Sequence, residues 1–221
     1  MDGKLIGWAR AVKRRRTGGA GAGPAVLWLF TDAARLPDPL PAVRRLPAGL
    51  AGVVLRDDGL ADRVGLGRRI ARICRARRLV LAVAGDWRLA AALHAGLHLR
   101  AGRRPRAPRW LPALTSSAHT VADMIRARRA GAAMVFLSPA FATASHPDAR
   151  PLGAVRWGLA ARRLAGAAAL GGVDGRQVRL LPRRWCRGAG AIAALRTRPA
   201  DPSGVTSPQQ CLGNATLGPH G

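Results

Sequence analysis

The stretch AAMVFLSPAFATASH, residues 132–146, changes character near its middle. Its first half is a short apolar run that ends at Leu137, and its second half places serine, threonine and histidine side chains within a few positions. A continuous apolar run of this length is typical of a strand in a parallel sheet that is covered on both faces. We therefore predict a buried strand that ends in a polar loop, and the hydroxyl groups raise the question of what this loop binds.

Similar apolar runs recur along the chain, namely AVLWLFTD, LAGVVLRD, LVLAVAGD, AGLHLR, LTSSAH, AAALGGV and GAGAIAAL. Between the runs lie amphipathic segments that contain arginine, such as DRVGLGRRIARICRARR, WRLAAALHAG, TVADMIRARRAG, AVRWGLAARRLAG and DGRQVRLLPRRW. Buried strands that alternate with helices indicate a parallel sheet, and this number of runs predicts a (β/α)8 TIM barrel over residues 25–198. A doubly wound sheet is the alternative, but the sequence after the first strand, FTDAARL, is not the Gly-rich turn typical of that fold.

The two ends of the chain depart from this pattern. Residues 1–24 are basic and then rich in Gly and Ala, and we predict a peripheral segment there with a short helix at Leu5–Lys13. Residues 199–221 are polar and irregular, which predicts a flexible tail. No apolar helix follows AIAALR, so the last helix of the barrel is expected to be short or missing.

The formal net charge of +26 invites a nucleic-acid interpretation. Nearly all the cations are arginine, however, and they are dispersed along the chain, with lysine only at Lys4 and Lys13. Dispersed charge is typical of solvated faces, so we expect no specific nucleic acid as a partner. The sequence does not decide between a monomer and a homo-oligomer.

The cysteines and the apolar runs limit the class of protein further. Cys74, Cys186 and Cys211 are odd in number and far apart, so neither a disulfide framework nor a zinc site is expected. No apolar run approaches the roughly 20 residues that a membrane helix needs. These patterns predict a cytoplasmic protein without a membrane partner.

Polar residues follow most of the predicted strands. Because the carboxyl ends of barrel strands share one rim, where the sites of TIM-barrel enzymes lie, these residues predict a site at the mouth of the barrel. They are Thr31, Asp32, Arg56, Asp57, Asp58, Asp86, His98, Ser117, His119, Ser138, Thr143, Ser145, His146, Gly171 and Gly172.

The order of these motifs resembles the thiamine phosphate synthase family, including its TenI-like relatives. The matching stretches are Thr31-Asp32, VVLRDD, GD at 85–86, AGLHLRAGR, SSAHT, LSPAFATASH and LGGV, in the family's order. The family joins an aminopyrimidine methyl diphosphate to a thiazole phosphate and releases pyrophosphate. The resemblance therefore implies a TIM-barrel transferase of thiamine biosynthesis, with magnesium as its cofactor and small-molecule phosphates as its partners.

The resemblance also implies roles for individual residues. Arg56 and Ser117 would meet the diphosphate, and His146, where the family usually has lysine, would join them as a catalytic residue. Asp86 would hold the magnesium ion. The phosphate of the thiazole would be bound by Thr143, Ser145 and the backbone of Gly171 and Gly172.

Some positions depart from the family pattern: Val54 replaces Gln, Asp58 replaces Lys, Gly85 replaces Asn, Arg103 replaces a magnesium-binding Asp, and His146 replaces Lys. These changes leave three functions open: a working thiamine phosphate synthase, a TenI-like barrel that binds a thiazole or pyrimidine phosphate without the transferase reaction, and a basic nucleic-acid-binding protein. Simpler roles stay open as well. Arg56 would then pair with Asp57 or Asp58, Asp86 would cap a helix, and His119 would be a hydrogen-bonded residue of the mouth rather than a general base.

Overall fold

The computed structural model describes residues 1–17, 24–143 and 149–196. Eight parallel strands, β1 to β8, pair in chain order and close into a barrel, because β8 pairs with β1. Their bounds are Leu27–Phe30, Ala51–Leu55, Val80–Ala84, Gly96–Leu99, Ala113–Ala118, Met134–Leu137, Ala167–Ala169 and Cys186–Ala191. The (β/α)8 barrel predicted from the sequence is thereby confirmed, and the doubly wound alternative is wrong.

The barrel interior is filled by aromatic side chains that face small residues. Phe30 and Phe136 pack edge to face with their ring centroids 5.0 Å apart. Gly190 leaves the space for this pair, since a Cβ atom there would lie 2.6 Å from a ring carbon of Phe30. Bulky and small side chains on neighbouring strands therefore fill the lumen as a packed core and not as a pore.

Five helices, α2 to α6, lie between the strands at Leu40–Arg45, Arg63–Ala76, Trp87–Ala92, Val121–Arg129 and Gly153–Arg162. Thr120 caps α5: its side chain accepts the N–H of Asp123, whose carboxylate accepts the backbone N–H of Thr120 in return. The α-helix expected in DGRQVRLLPRRW is wrong, since only a 3-10 helix forms at Gln177–Leu180, and Pro182 lies two residues past its end. Among the described residues, no helix is both long and apolar enough to cross a membrane.

The amino-terminal segment differs most from its sequence-based prediction. A helix, α1, spans Gly3–Thr17, which is longer than the predicted Leu5–Lys13. Leu5, Ala9 and Val12 lie on one face of α1 and are fully or almost fully buried in the core. The expectation that residues 1–24 are peripheral is therefore wrong for α1, because the spacing of these apolar residues gives the helix a buried face.

The position of α1 is that of the missing eighth helix. The N–H of Asp2 donates to the carbonyl of Ala194, just past the carboxyl end of β8, at 2.8 Å. At the other end of α1, Arg16 Nη1 donates to the carbonyl of Arg187, near the start of β8, at 3.1 Å. The helix thus runs antiparallel to β8, as the other helices of such a barrel do. Past β8 the described chain forms only a 3-10 helix at Ala193–Leu195, so the expectation of a short last helix is confirmed for residues up to 196.

Asp2 fixes the start of α1 to the mouth of the barrel. Its carboxylate accepts the N–H of Gly175 at 2.7 Å and those of Lys4 and Leu5 at 2.9 and 3.0 Å. Burial raises the pKa of this carboxyl, but the hydrogen bonds from Gly175, Leu5 and Lys4 outweigh burial and hold the pKa below its usual value. The residues that follow β7 and β8 are thereby tied to α1.

Replacing Leu5 by alanine tests the structural role of α1. The side chain of Leu5 is 0% exposed, and its truncation should lower the free energy of unfolding by about 2–4 kcal/mol. The control is Leu159→Ala on α6, where the side chain is 59% exposed and the change should be under about 0.5 kcal/mol. Equal, small effects of both changes in urea unfolding would show that α1 does not belong to the barrel.

Candidate functional site

A cavity of about 1200 Å³ opens at the carboxyl ends of the strands. Arg56, Ser117, Thr143, Gly171 and Gly172 all line it, although they lie far apart in the sequence. They lie at or after the ends of four strands, β2, β5, β6 and β7, so closure of the barrel brings them to one rim. The structure therefore brings together five of the residues that the sequence singled out.

Arg56 is held in place by the end of the first strand. Its N–H donates to Thr31 Oγ1 at 2.9 Å, and its guanidinium donates to Asp32 Oδ2, also at 2.9 Å. Asp32 binds the guanidinium of Arg35 as well, so one carboxylate orients two cations at the mouth. The hydrogen bond from Arg35 lowers the pKa of Asp32, burial opposes this, and the charge of Arg56 lowers the pKa further. The partner of Arg56 is thus Asp32, and not Asp57 or Asp58 as the simpler interpretation had it.

Ser117 occupies the same rim at the end of β5. Its hydroxyl oxygen accepts the N–H of Ala101 at 3.4 Å, a long hydrogen bond. The neighbouring Ser116 faces away from the cavity: its hydroxyl accepts the N–H of Gly102 at 3.1 Å and donates to the carbonyl of Ser117 at 2.9 Å. Ser116 therefore fastens the loop after β4, while the hydroxyl of Ser117 lines the cavity.

The glycines after β7 form a backbone surface at the mouth. Gly171 and Gly172 adopt φ values of +87° and +62°, in the region that favours glycine. The loop after β6 packs directly on them, and a Cβ atom on Gly172 would lie 2.2 Å from the carbonyl oxygen of Ala142. The Gly171 carbonyl accepts the N–H of Phe141 at 3.0 Å. This contact sets the loop that carries Thr143 beside the two glycines.

The resemblance gave roles to three further residues, Ser145, His146 and Asp86. Ser145 and His146 lie outside the described residues. Asp86 does not line the cavity within the described chain. It caps α4 instead, since its Oδ1 accepts the N–H of Leu89 at 3.0 Å, which is the simpler role that the sequence left open.

The carboxylates near Asp86 do not form a set that fits a magnesium ion. Among the described residues, no group of three His, Cys, Asp or Glu side chains could hold a metal. Asp58 is engaged on both oxygens, by Arg63 at 3.1 Å and by Arg100. The remaining oxygen of Asp86 faces Arg63 Nη1 at 3.9 Å. Magnesium prefers carboxylate and water oxygens in an octahedral shell, and here arginine side chains occupy those oxygens.

Two histidines contribute to the cavity in different ways. His98 lies on the floor, 3% exposed, with Nδ1 2.8 Å from Thr115 Oγ1 and its ring 5.4 Å from that of Phe30 in an edge-to-face contact. Nδ1 of His119 lies 3.0 Å from the carbonyl oxygen of Ser138, which only accepts hydrogen bonds. Nδ1 of His119 therefore carries the proton, and Nε2 is left as an acceptor in the neutral ring. The general-base role of His119 is untested.

The sequence analysis missed Arg35, Arg63 and Arg100. Arg100 is the first residue after β4, and this place at a strand end would have pointed to the mouth. The arginine noted in this loop was Arg103, which is exposed on the surface. Arg63 begins α3, and no motif distinguishes it from the many arginines of the other helices.

These observations define a (β/α)8 barrel whose mouth gathers paired arginines, a strand-end serine and a glycine backbone. The family model of thiamine monophosphate synthase matches residues 33–196, and the chain belongs to this family. The resemblance found in the sequence is thereby confirmed.

Solved structures support the fold. The chain is similar to a thiamine phosphate pyrophosphorylase from Pyrococcus furiosus, with a TM-score of 0.62 and 20% identity, over 76% of this chain and 86% of the other. A native KDPGal structure matches with a TM-score of 0.56 and 13% identity, over 81% and 88% of the two chains. An HpcH/HpaI aldolase from Desulfitobacterium hafniense matches with a TM-score of 0.50 and 13% identity, over 82% and 91%. No curated protein matches the sequence.

The burial of His98 predicts a pH dependence of stability. Burial lowers the pKa of His98 from 6.5 to about 3, and the charge of Arg56 acts in the same direction. Below about pH 6.5 His98 is therefore protonated in the unfolded chain but stays neutral in the folded chain. The contribution of His98 to the free energy of unfolding is full above that pH and is lost as the pH falls toward 3. We expect a loss on the order of 2 kcal/mol between about pH 7 and pH 5.

Urea unfolding at several pH values checks this linkage. In His98→Asn, whose amide occupies the place of Nδ1, this part of the pH dependence should vanish while the dependence due to the carboxylates remains. If the wild type and His98→Asn lose stability in parallel between these pH values, the buried neutral histidine is not the cause.

Proposed function

We propose that this protein is a thiamine phosphate synthase-like transferase that joins an aminopyrimidine methyl diphosphate to a thiazole phosphate. The observation that supports this proposal is the presence of Arg56, Ser117, Thr143, Gly171 and Gly172 around one cavity. Family membership indicates the class of reaction. The geometry supplies what two phosphate-bearing substrates need, namely cations after β1, β2 and β4 and glycine backbone after β7.

The reaction sets clear chemical demands on the site. The bond between the methylene carbon of the pyrimidine and the diphosphate oxygen breaks, and its electron pair leaves with pyrophosphate. The lone pair of the thiazole nitrogen forms the new carbon–nitrogen bond. Negative charge therefore builds on the leaving group, and positive charge builds on the pyrimidine.

The cationic side of the mouth would bind the leaving group. Arg56 offers planar donors that match phosphate oxygens, and its bond to Asp32 fixes the direction in which they point. Ser117 would add a hydroxyl donor from the end of β5. The hydrogen bonds from both groups would strengthen as negative charge develops on the diphosphate, and this would accelerate bond breaking.

The loop after β7 would bind the thiazole phosphate. The N–H groups of Gly171 and Gly172 donate no hydrogen bond to the backbone of the described residues, whereas the carbonyl of Gly171 is used. Such N–H groups in left-handed turns are suited to phosphate oxygens, and the loops after strands 7 and 8 are the usual phosphate site of TIM barrels. Thr143, and Ser145 from outside the described residues, would complete this site.

The floor of the cavity would hold the pyrimidine. Phe30 and His98 present an aromatic, buried surface there, and the lowered pKa keeps His98 neutral at neutral pH. A neutral floor does not add positive charge next to a pyrimidine that is itself becoming cationic. It also excludes water, which would otherwise capture that carbon.

A second candidate is a TenI-like barrel that binds a thiazole or pyrimidine phosphate without the transferase reaction. The engagement of Asp58 by two arginines favours it, since the family has lysine at this position. Complementation of a thiamine auxotroph and a direct assay of thiamine phosphate formation distinguish the two candidates. Growth and product formation require the transferase, and binding without product would leave only the second candidate.

Loss of Arg56 should weaken binding of pyrophosphate. Because Arg56 is partly exposed, we expect Arg56→Ala to cost about 2 kcal/mol, roughly thirtyfold in Kd, as measured by calorimetry. The matched control is Arg162→Ala in the last turn of α6, far from the mouth, which removes the same charge and should leave Kd within about twofold. No binding by the wild type, or an equal loss in both variants, would contradict the assignment of the site.

A further inference from the structure

A second group of charged residues lies beside Arg56 at the rim. Arg63 is anchored by the carbonyl of Ala84 at 2.6 Å and by Asp58 at 3.1 Å, and its side chain is only 14% exposed. Asp58 also binds Arg100, which lines the cavity and is 52% exposed. Arg63, Asp58 and Arg100, together called the arginine relay below, place a fixed guanidinium at the mouth.

The arginine relay occupies the place where the family would bind a metal. Asp86 is the one carboxylate there that matches the family's magnesium ligands, and Arg63 lies between it and Asp58. A magnesium ion would have to displace Arg63 from Asp58 and from the Ala84 carbonyl. Displacing a largely buried guanidinium would leave its charge without partners, which is costly.

The absence of a side chain at Gly85 leaves room for the guanidinium of Arg100. A Cβ atom on Gly85 would lie 3.6 Å from both Cζ and Nη2 of Arg100, so the guanidinium rests against this residue. Gly85 also has a φ of +75°, which suits glycine. A larger side chain at position 85 would compete with Arg100 for this space.

We propose that arginine side chains replace the divalent metal at this mouth, and that Arg100 is the second cation, beside Arg56, for a diphosphate group. This inference rests on the proposed function, because it names what neutralises the same leaving group. One edge of Arg100 is held by Asp58. The remaining donors of its guanidinium make no hydrogen bond to the described residues, so they can reach a phosphate. The substrate class is a diphosphate ester that binds without magnesium.

The ion pairs on this wall of the mouth support the same conclusion, whereas the described cavity lining as a whole combines Arg35, Arg56 and Arg100 with Asp2, Asp58 and Asp174. In the ion pairs around Arg56 and the arginine relay, the guanidinium groups of Arg35, Arg56, Arg63 and Arg100 outnumber the carboxylates of Asp32, Asp58 and Asp86. A dication added to this wall would be repelled by the nearby arginines, whereas a diphosphate would be attracted without it. The charge of an arginine side chain does not change over the physiological pH range, and it does not require a bound metal.

The test is calorimetry of pyrophosphate binding to the metal-stripped full chain, in EDTA and in excess magnesium, with magnesium–pyrophosphate complexation subtracted by a protein-free titration. We expect the Kd values in the two conditions to agree within about threefold. Arg100→Ala should weaken binding about tenfold or more in EDTA, and Arg100→Lys should restore it only in part, because lysine lacks the fork. The matched control is Arg162→Ala in the last turn of α6, far from the mouth, which should change Kd by less than about twofold.

The outcomes separate this inference from the proposed function. Binding that requires magnesium, or that magnesium tightens tenfold or more, overturns the metal-free site and leaves the proposed function standing. Equal effects of Arg100→Ala and Arg162→Ala overturn the role of Arg100. No binding in either condition contradicts the proposed function, and the inference falls with it. Unchanged thermal unfolding of the variants without ligand shows that lost binding is not lost folding.

Discussion

The parallel pairing of β8 with β1 is the constraint on which the rest of the structure depends. Leu27, Trp28 and Leu29 stand opposite Ala189, Gly190 and Ala191, and this short register closes the sheet. Closure gives all strands a common rim, so a residue that follows one strand meets residues that follow others. The cavity is a consequence, because Arg56, Ser117 and Gly171 have no reason to approach one another in an open sheet.

Closure in turn depends on α1. A barrel strand needs an outer layer, and the described chain after β8 offers only a 3-10 helix. The amino-terminal helix supplies this layer and runs in the direction that a carboxyl-terminal helix would take. Its first turn is also joined to the mouth, since Asp2 binds the peptide groups of Gly175 and Ala194. The helix α1 therefore contributes both to the stability of the fold and to the position of the loop after β7, which lines the cavity.

The strands and the rim could be predicted from the sequence because they rest on local patterns. Apolar runs such as MVFL mark buried strands, and in a barrel the residue after each run lies at the mouth. The position of α1 could not be predicted, because its amphipathic face does not say which strand it covers. The pairing of Asp58 with Arg63 and Arg100 was missed for a related reason: a chain with 35 arginines in 37 basic residues gives no signal for the few that are fixed by partners. The capping role of Asp86 was visible as an alternative, since an acidic residue before a helix suits both a cap and a metal.

The central proposal is that strand ends distant in sequence form a single diphosphate site whose cations are arginines. A crystal structure of the full chain with bound pyrophosphate, in the presence of magnesium, tests this claim most directly. The account predicts phosphate oxygens within hydrogen-bonding distance of the guanidinium groups of Arg56 and Arg100, with no metal on Asp86. Pyrophosphate bound only on the outer arginines of the helices, or held through a magnesium ion on Asp86, would contradict it.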